Sequence, residues 1–105
     1  MTVKLMVLYP HPRDELAFER RYVGKHLPLM RELLGPRVRI PTYRTLGSPE
    51  RPSPYYRVAE IHFDDLEHFN AFARSEQAEL GRRSSIEVST GGMPLTLVCV
   101  EQDEI

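Results

Sequence analysis

Cysteine occurs once in this chain, as Cys99, so no internal disulfide can form and the cytoplasm is the expected compartment. Within Leu95-Thr96-Leu97-Val98-Cys99-Val100 the thiol reads as a small buried hydrophobe. A thiol nucleophile would need an electropositive, partly open setting. Long apolar runs are also missing: no segment approaches the roughly 20 residues of a membrane span. The opening MTVKLMVLYPHP has neither the length nor the small-residue cleavage site of a secretory signal. Charge of one sign is not in excess, since 14 basic and 15 acidic residues leave a net charge of -1. Without a basic field, nucleic acid and membrane surfaces are not expected partners. Gly-x-Gly-x-x-Gly, phosphate-loop and Gly-x-Ser-x-Gly patterns are absent from the sequence, as is any His-x3-His or carboxylate–histidine cluster within one element. Nucleotide cofactors, serine hydrolysis and metal binding are therefore set aside, and no cofactor is expected. A haem role would require His26 as axial ligand.

What remains is ordinary soluble composition, 41% hydrophobic and 28% charged over 105 residues, enough for a single domain spanning residues 1–105. Val3 to Tyr9 is β-branched and aromatic and ends at the Pro10-His11-Pro12 breaker, which predicts a first strand. Asp14 can cap the helix that follows, with Leu16, Phe18, Tyr22 and Val23 at helical spacing. Gly24 and Leu27-Pro28 interrupt that helix and place His26 at a bend, after which Leu29 to Leu34 continue to the Gly35-Pro36 stop. Val38 to Leu46 can be extended, with Pro41 confining it to an edge or a bulge. Gly47 to Pro54 is a proline-rich loop, Tyr55 to Phe63 a further strand, and Asp64 the expected cap of a second long helix. Ser75 to Arg83 reads as a short helical turn, Ser84 to Met93 as irregular, and Leu95 to Glu101 as the last strand. This order, with no internal repeat, predicts an α+β fold of the ferredoxin-like βαββαβ type: a four-stranded antiparallel sheet with its helices on one face.

Alternation along the strands then bears on assembly. Val3, Leu5, Val7 and Tyr9 oppose Met6 and Leu8, and Leu95, Leu97 and Cys99 oppose Val98 and Val100. Both faces of the sheet are apolar, and one layer of helices covers only one of them. A homodimer that buries the second face follows.

The strand Val3-Lys4-Leu5-Met6-Val7-Leu8-Tyr9-Pro10, followed by Asp14 and by Phe18-x3-Tyr22-x3-His26-Leu27-Pro28, resembles the opening of EthD domains. Ala59-Glu60-Ile61-His62-Phe63, Phe69-x2-Phe72 and Thr90-Gly91-Gly92 are consistent with the same family. The resemblance implies a dimeric α+β barrel, in which two sheets meet face to face with helices outside. It also implies a cleft between helix and sheet lined by the histidine that matches His26. The family takes its name from a protein associated with breakdown of ethyl tert-butyl ether beside a cytochrome P450 system, its relatives include proteins assigned to oxidation or dehydration of aromatic polyketides, and the wider superfamily spans cofactor-free monooxygenases, lactone isomerases, haem proteins and decarboxylases, so fold constrains function weakly.

His26 is the first candidate for chemistry, because a neutral imidazole can accept or donate a proton near physiological pH. Its competing role is structural, bonding the broken helix end. Tyr22, one turn earlier, shares its face and is the second catalytic candidate, against a plain packing role. Tyr9, Tyr56, Glu60 and His62 are the candidate substrate-binding residues. Tyr56, Val58, Glu60 and His62 are expected on one face of their strand, and Glu60 becomes a carboxylate of raised pKa if it points inward, against the alternative of a rim position. The expected function is a cofactor-independent enzyme, or oxygenase auxiliary, that moves a proton on a small apolar or aromatic oxygenated compound during oxidation, dehydration or isomerisation. The alternative is a non-catalytic carrier of such a compound that serves a partner oxygenase.

Overall fold

A computed structural model describes residues 2–105. Strand β1 (Val3–Pro10) lies inside an antiparallel four-stranded sheet, flanked by β3 (Tyr55–Phe63) and β4 (Leu95–Val100), with β2 (Thr42–Arg44) outside β3. The order β2-β3-β1-β4 is the ferredoxin-like one, and the two halves interleave as βαβ units. Pro41 has no N–H to give, and regular pairing of β2 begins only after it. Even so, its carbonyl accepts from Glu60 N and that of Arg39 accepts from His62 N, so the chain stays beside β3.

Asp14 accepts from Ala17 N and starts α1 (Glu15–Arg21). The expected break after it is instead a π-helical turn, Tyr22–His26, which runs without interruption into α2 (Leu27–Leu34). A proline ring in a regular helix collides with the carbonyl four residues back, here that of Gly24; the wider turn, closed by Leu27 N donating to Tyr22 O, accommodates Pro28. Helix α3 (Leu66–Ala73) is capped by Asp65, which accepts from His68 N, rather than by Asp64.

The largest departure from expectation is α4, which runs over Glu76–Val88 and absorbs half of the stretch expected to be irregular. Ser75 caps it by accepting from Ala78 N, and Glu79 pairs with Arg82 and Arg83 on its outer side. Its buried positions are Gly81, Ser85 and Val88, residues too small or too polar to announce an amphipathic helix.

Helices cover only one face of the sheet. Val3, Val7 and Tyr9 of β1 and Ala59, Ile61 and Phe63 of β3 are buried beneath them. The other face carries Met6, Leu8 and Val58, with Leu97 opposite Met6 and Leu95 opposite Leu8. Leu97 is 45% exposed and Leu95 42%, so an apolar surface is open to solvent in the single chain, as alternation along the strands requires. Gly91 marks the return to β4. A Cβ there would sit 1.9 Å from the His11 carbonyl oxygen, so the backbone of the Thr90-Gly91-Gly92 turn passes directly against the loop after β1.

Candidate functional site

Phe18, Tyr22 and His26 recur every four residues through α1 and the π turn, and their rings form a stack. Phe18 and Tyr22 lie 5.2 Å apart at 17°, Tyr22 and His26 5.5 Å apart at 25°. Tyr9 at the end of β1 meets all three edge-on. Burial of these rings orients His26, which is 5% exposed, so that each ring nitrogen faces one oxygen. Nδ1 lies 2.8 Å from Ser84 Oγ and Nε2 lies 3.3 Å from the Tyr9 hydroxyl, which is itself 2.8 Å from Ser85 Oγ. Consecutive serines on α4 thus engage the two ends of a His26–Tyr9 pair. Burial lowers His26 to about 4, leaving the imidazole neutral at pH 7. Burial also pushes the Tyr9 phenol up to about 12, against the opposing effect of its hydrogen bond to Ser85.

Helix α4 packs mainly on α2, α3 and the π turn, and its last turns reach the sheet through Ser85 and Val88. The space beneath it is a cavity of about 310 Å3. Its walls are apolar, with Leu5, Val7 and Ile61 from the sheet and Met30, Phe72 and Ile86 from the helices. Ala78 and Gly81 line it from α4, and a Cβ at Gly81 would meet Met30 Sδ of α2 at 3.0 Å. Tyr9, His26 and Ser85 also line it and supply a polar group of neutral side chains, while Arg82 contributes the charged lining residue. A volume near 300 Å3 is at the small end of ligand-binding cavities.

The candidate residues separate sharply. Tyr9 and His26 converge on the cavity. Tyr22 lies behind them, wholly buried and outside the lining; its hydroxyl has no hydrogen-bond partner among the described residues. Burial, with Tyr9 nearby, holds that phenol far above its ordinary range. Tyr56 does not share a face with Glu60 and His62 as its position in an uninterrupted strand suggests. Register shifts where Tyr9 pairs with Arg57 but Pro10 with Tyr55, leaving Tyr56 as the extra residue of a bulge. The bulge turns Tyr56 into the core against Phe18, with the Arg44 guanidinium over its ring.

Glu60 and His62 point to the open face, away from the cavity. His62 Nε2 is 2.9 Å from Glu60 Oε1, and Lys4 donates to Glu60 Oε2 at 3.3 Å. Burial raises the Glu60 carboxyl, but the bonds from His62 and Lys4 outweigh it and leave the carboxyl below its ordinary value. The inward carboxylate of raised pKa is therefore corrected to a carboxylate paired on the opposite side of the sheet. Arg57, unremarked in the sequence, reaches from β3 to α1, where it donates twice to Glu19 and lies 4.9 Å from the Tyr22 ring centre. Ser84 and Ser85 were hidden in the segment expected to be irregular. The Ser75 cap and the inward spacing of Ala78, Gly81, Ser85 and Val88 are the signals that disclose them. Among the described residues, no group of three or more His, Cys, Asp or Glu side chains is placed to hold a metal ion.

A four-stranded antiparallel sheet with helices on one face and a ligand-sized cavity between them defines a ferredoxin-like α+β protein. The chain belongs to the EthD family, whose domain model matches residues 11–82. An EthD-family protein from Bacillus halodurans is 29% identical, with 97% of this chain and 100% of that one covered and a TM-score of 0.84. An EthD-like protein from Ralstonia eutropha is 22% identical over 96% of this chain and 95% of that one, with a TM-score of 0.67. A dimeric ferredoxin-like protein of unknown function from Jannaschia is 13% identical over 96% and 100%, with a TM-score of 0.72, and shares the fold. No curated protein matches the chain. No helix among the described residues is long and apolar enough to cross a membrane.

Proposed function

We propose that this EthD protein binds a small, neutral, oxygen-bearing apolar or aromatic compound beneath α4 and moves a proton on it without a bound cofactor. The observation that carries the proposal is the cavity itself: about 310 Å3, mainly apolar walls, and the neutral polar groups of Tyr9, His26 and Ser85. Such a site orients one oxygen and excludes water from the rest of the ligand. His26 and Tyr9 carry the proton, and Tyr22 positions the His26 ring by stacking on it. Oxidation, dehydration and isomerisation of an aromatic ketone or phenol all contain such a step.

Two chains pair through the open sheet face, where Leu95 and Leu97 are exposed beside Met6 and Leu8. Solved relatives described as dimeric accord with this pairing. The free Cys99 suits the reducing cytoplasm.

Hydrogen–deuterium exchange at the carbon beside the carbonyl of 1-tetralone tests the proposal without presupposing an oxidant. Saturable binding that Ala78→Phe abolishes, with exchange accelerated above buffer and lost in His26→Ala, is the expected result. Full exchange activity in His26→Ala sinks the assignment of His26. One observation favours the second reading, a carrier that serves a partner oxygenase: neither His26 nor Tyr9 is a strong base or acid at pH 7. Saturable binding without exchange is its signature.

A further inference from the structure

We propose that Ser85, Tyr9, His26 and Ser84 form one reversible proton relay that joins the oxygen of a ligand in the cavity to water on the outer side of α4. The relay rests on the reading of the cavity as a ligand site. Its geometry comes from two adjacent serines. Ser85 lines the inner cavity; Ser84 lines a separate cleft of about 460 Å3 together with Arg21, Lys25 and Glu87, and His26 borders both spaces. Between the serines the links are 2.8 Å from Ser85 Oγ to the Tyr9 hydroxyl, 3.3 Å from that hydroxyl to His26 Nε2, and 2.8 Å from Nδ1 to Ser84 Oγ. Each member can both donate and accept, so the chain admits two complete arrangements of its hydrogens.

In the first arrangement Nε2 carries the ring hydrogen. Nε2–H donates to the Tyr9 oxygen, the Tyr9 O–H to Ser85 Oγ, the Ser85 O–H to the ligand, and the Ser84 O–H to Nδ1. When the ligand oxygen becomes an oxyanion, Ser85 gives it a proton and takes that of Tyr9. Tyr9 then takes the Nε2 proton, Nδ1 takes that of Ser84, and Ser84 takes one from water, leaving hydroxide in the outer cleft. No electrons are transferred, and every protein group ends neutral. The imidazole has changed tautomer, and the second arrangement has replaced the first. Burial keeps both Tyr9 and His26 neutral near pH 7, so neither a phenolate nor an imidazolium interrupts the chain. Because each passage inverts the chain, it suits a substrate oxygen that gains and loses a proton within one cycle. An enolisable ketone has such an oxygen.

The tautomer of His26 in 15N-labelled protein reads the relay directly. Ser85→Ala leaves Tyr9 with His26 as its only partner, so the phenol donates to Nε2. The Nδ1–H tautomer is then expected in the unliganded variant. In the unsubstituted protein, 1-tetralone, which only accepts, is expected to hold His26 as Nε2–H, and indole, which only donates, as Nδ1–H. Ser85→Ala and Tyr9→Phe should each abolish that dependence. Nε2–H persisting in unliganded Ser85→Ala overturns the relay, as does the same tautomer with both probes bound. Should neither probe move any cavity methyl resonance, the cavity reading fails, and the unliganded Ser85→Ala tautomer still decides for or against the hydrogen-bonded chain.

Discussion

Tyr22 and Tyr9 touch edge to face, 5.2 Å between ring centres, yet removing one oxygen atom from each is expected to have opposite effects. The Tyr22 hydroxyl is fully buried and has no partner among the described residues. An unpaired buried hydroxyl costs about 1–3 kcal/mol of desolvation, and the void left by its removal returns a few tenths at most. Tyr22→Phe keeps the stack with Phe18 and His26, so it should stabilise the protein by about 1–2 kcal/mol. At about 4–8 °C per kcal/mol for a domain of this size, Tm rises by roughly 4–15 °C. The Tyr9 hydroxyl instead serves Ser85 and His26, and Tyr9→Phe strands both inside the core, at a cost of about 1–3 kcal/mol. Urea unfolding followed by far-ultraviolet circular dichroism compares the two variants, provided m is unchanged. Tyr22→Phe should also leave tetralone exchange near that of the unsubstituted protein, whereas Tyr9→Phe should abolish it. A loss of stability in Tyr22→Phe matching that in Tyr9→Phe would refute the reasoning, because the Tyr22 hydroxyl would then have a partner.

Acid should weaken the fold through His26. Its folded pKa of about 4 lies below the ordinary 6.5, so the unfolded chain binds the proton first as pH falls. Stability present above pH 6.5 is lost progressively down to pH 4, by about 3 kcal/mol in all. His26→Gln should flatten that portion of the stability profile in urea titrations at successive pH values. Gly91→Ala should destabilise by roughly 3 kcal/mol or more, since its Cβ meets the His11 carbonyl at 1.9 Å and neither backbone can retreat cheaply. A thermal midpoint within 2 °C of the parent, on the order of half a kcal/mol, would contradict that close approach. Leu97→Glu puts a charge on the open sheet face, on edge strand β4 opposite Met6. It is expected to convert a dimer to the mass of one chain in sedimentation equilibrium while the circular dichroism spectrum stays unchanged.

Much of the fold was legible because strand and helix periodicities are local. Alternation was enough to set Val7 and Tyr9 against Met6 along β1 and Leu97 against Val98 along β4, and to show that one helical layer leaves an apolar surface uncovered, while the register of the two strands put Leu97 on the face of Met6. Four-residue spacing put Phe18, Tyr22 and His26 on one stripe, and the motif around them resembles that of EthD domains, the family whose model matches residues 11–82. Nothing local marked the bulge at Tyr56. It arises where β3 must match β1 beside Pro10, and it reverses the face on which that side chain falls relative to Glu60 and His62. Helix α4 escaped for a related reason: along most of its length its inner side roofs a cavity with Ala78, Gly81 and Ser85, and only Val88 enters the core beside the sheet, so the hydrophobic signal of a buried helix is weak. The chain's own sequence therefore determined the central strands, the first helices and the four-residue stripe that ends at His26. Which oxygens meet its two nitrogens was decided only in three dimensions, because Ser84 reaches Nδ1 across 58 residues of chain and the Tyr9 hydroxyl at Nε2 is held by Ser85 across 76.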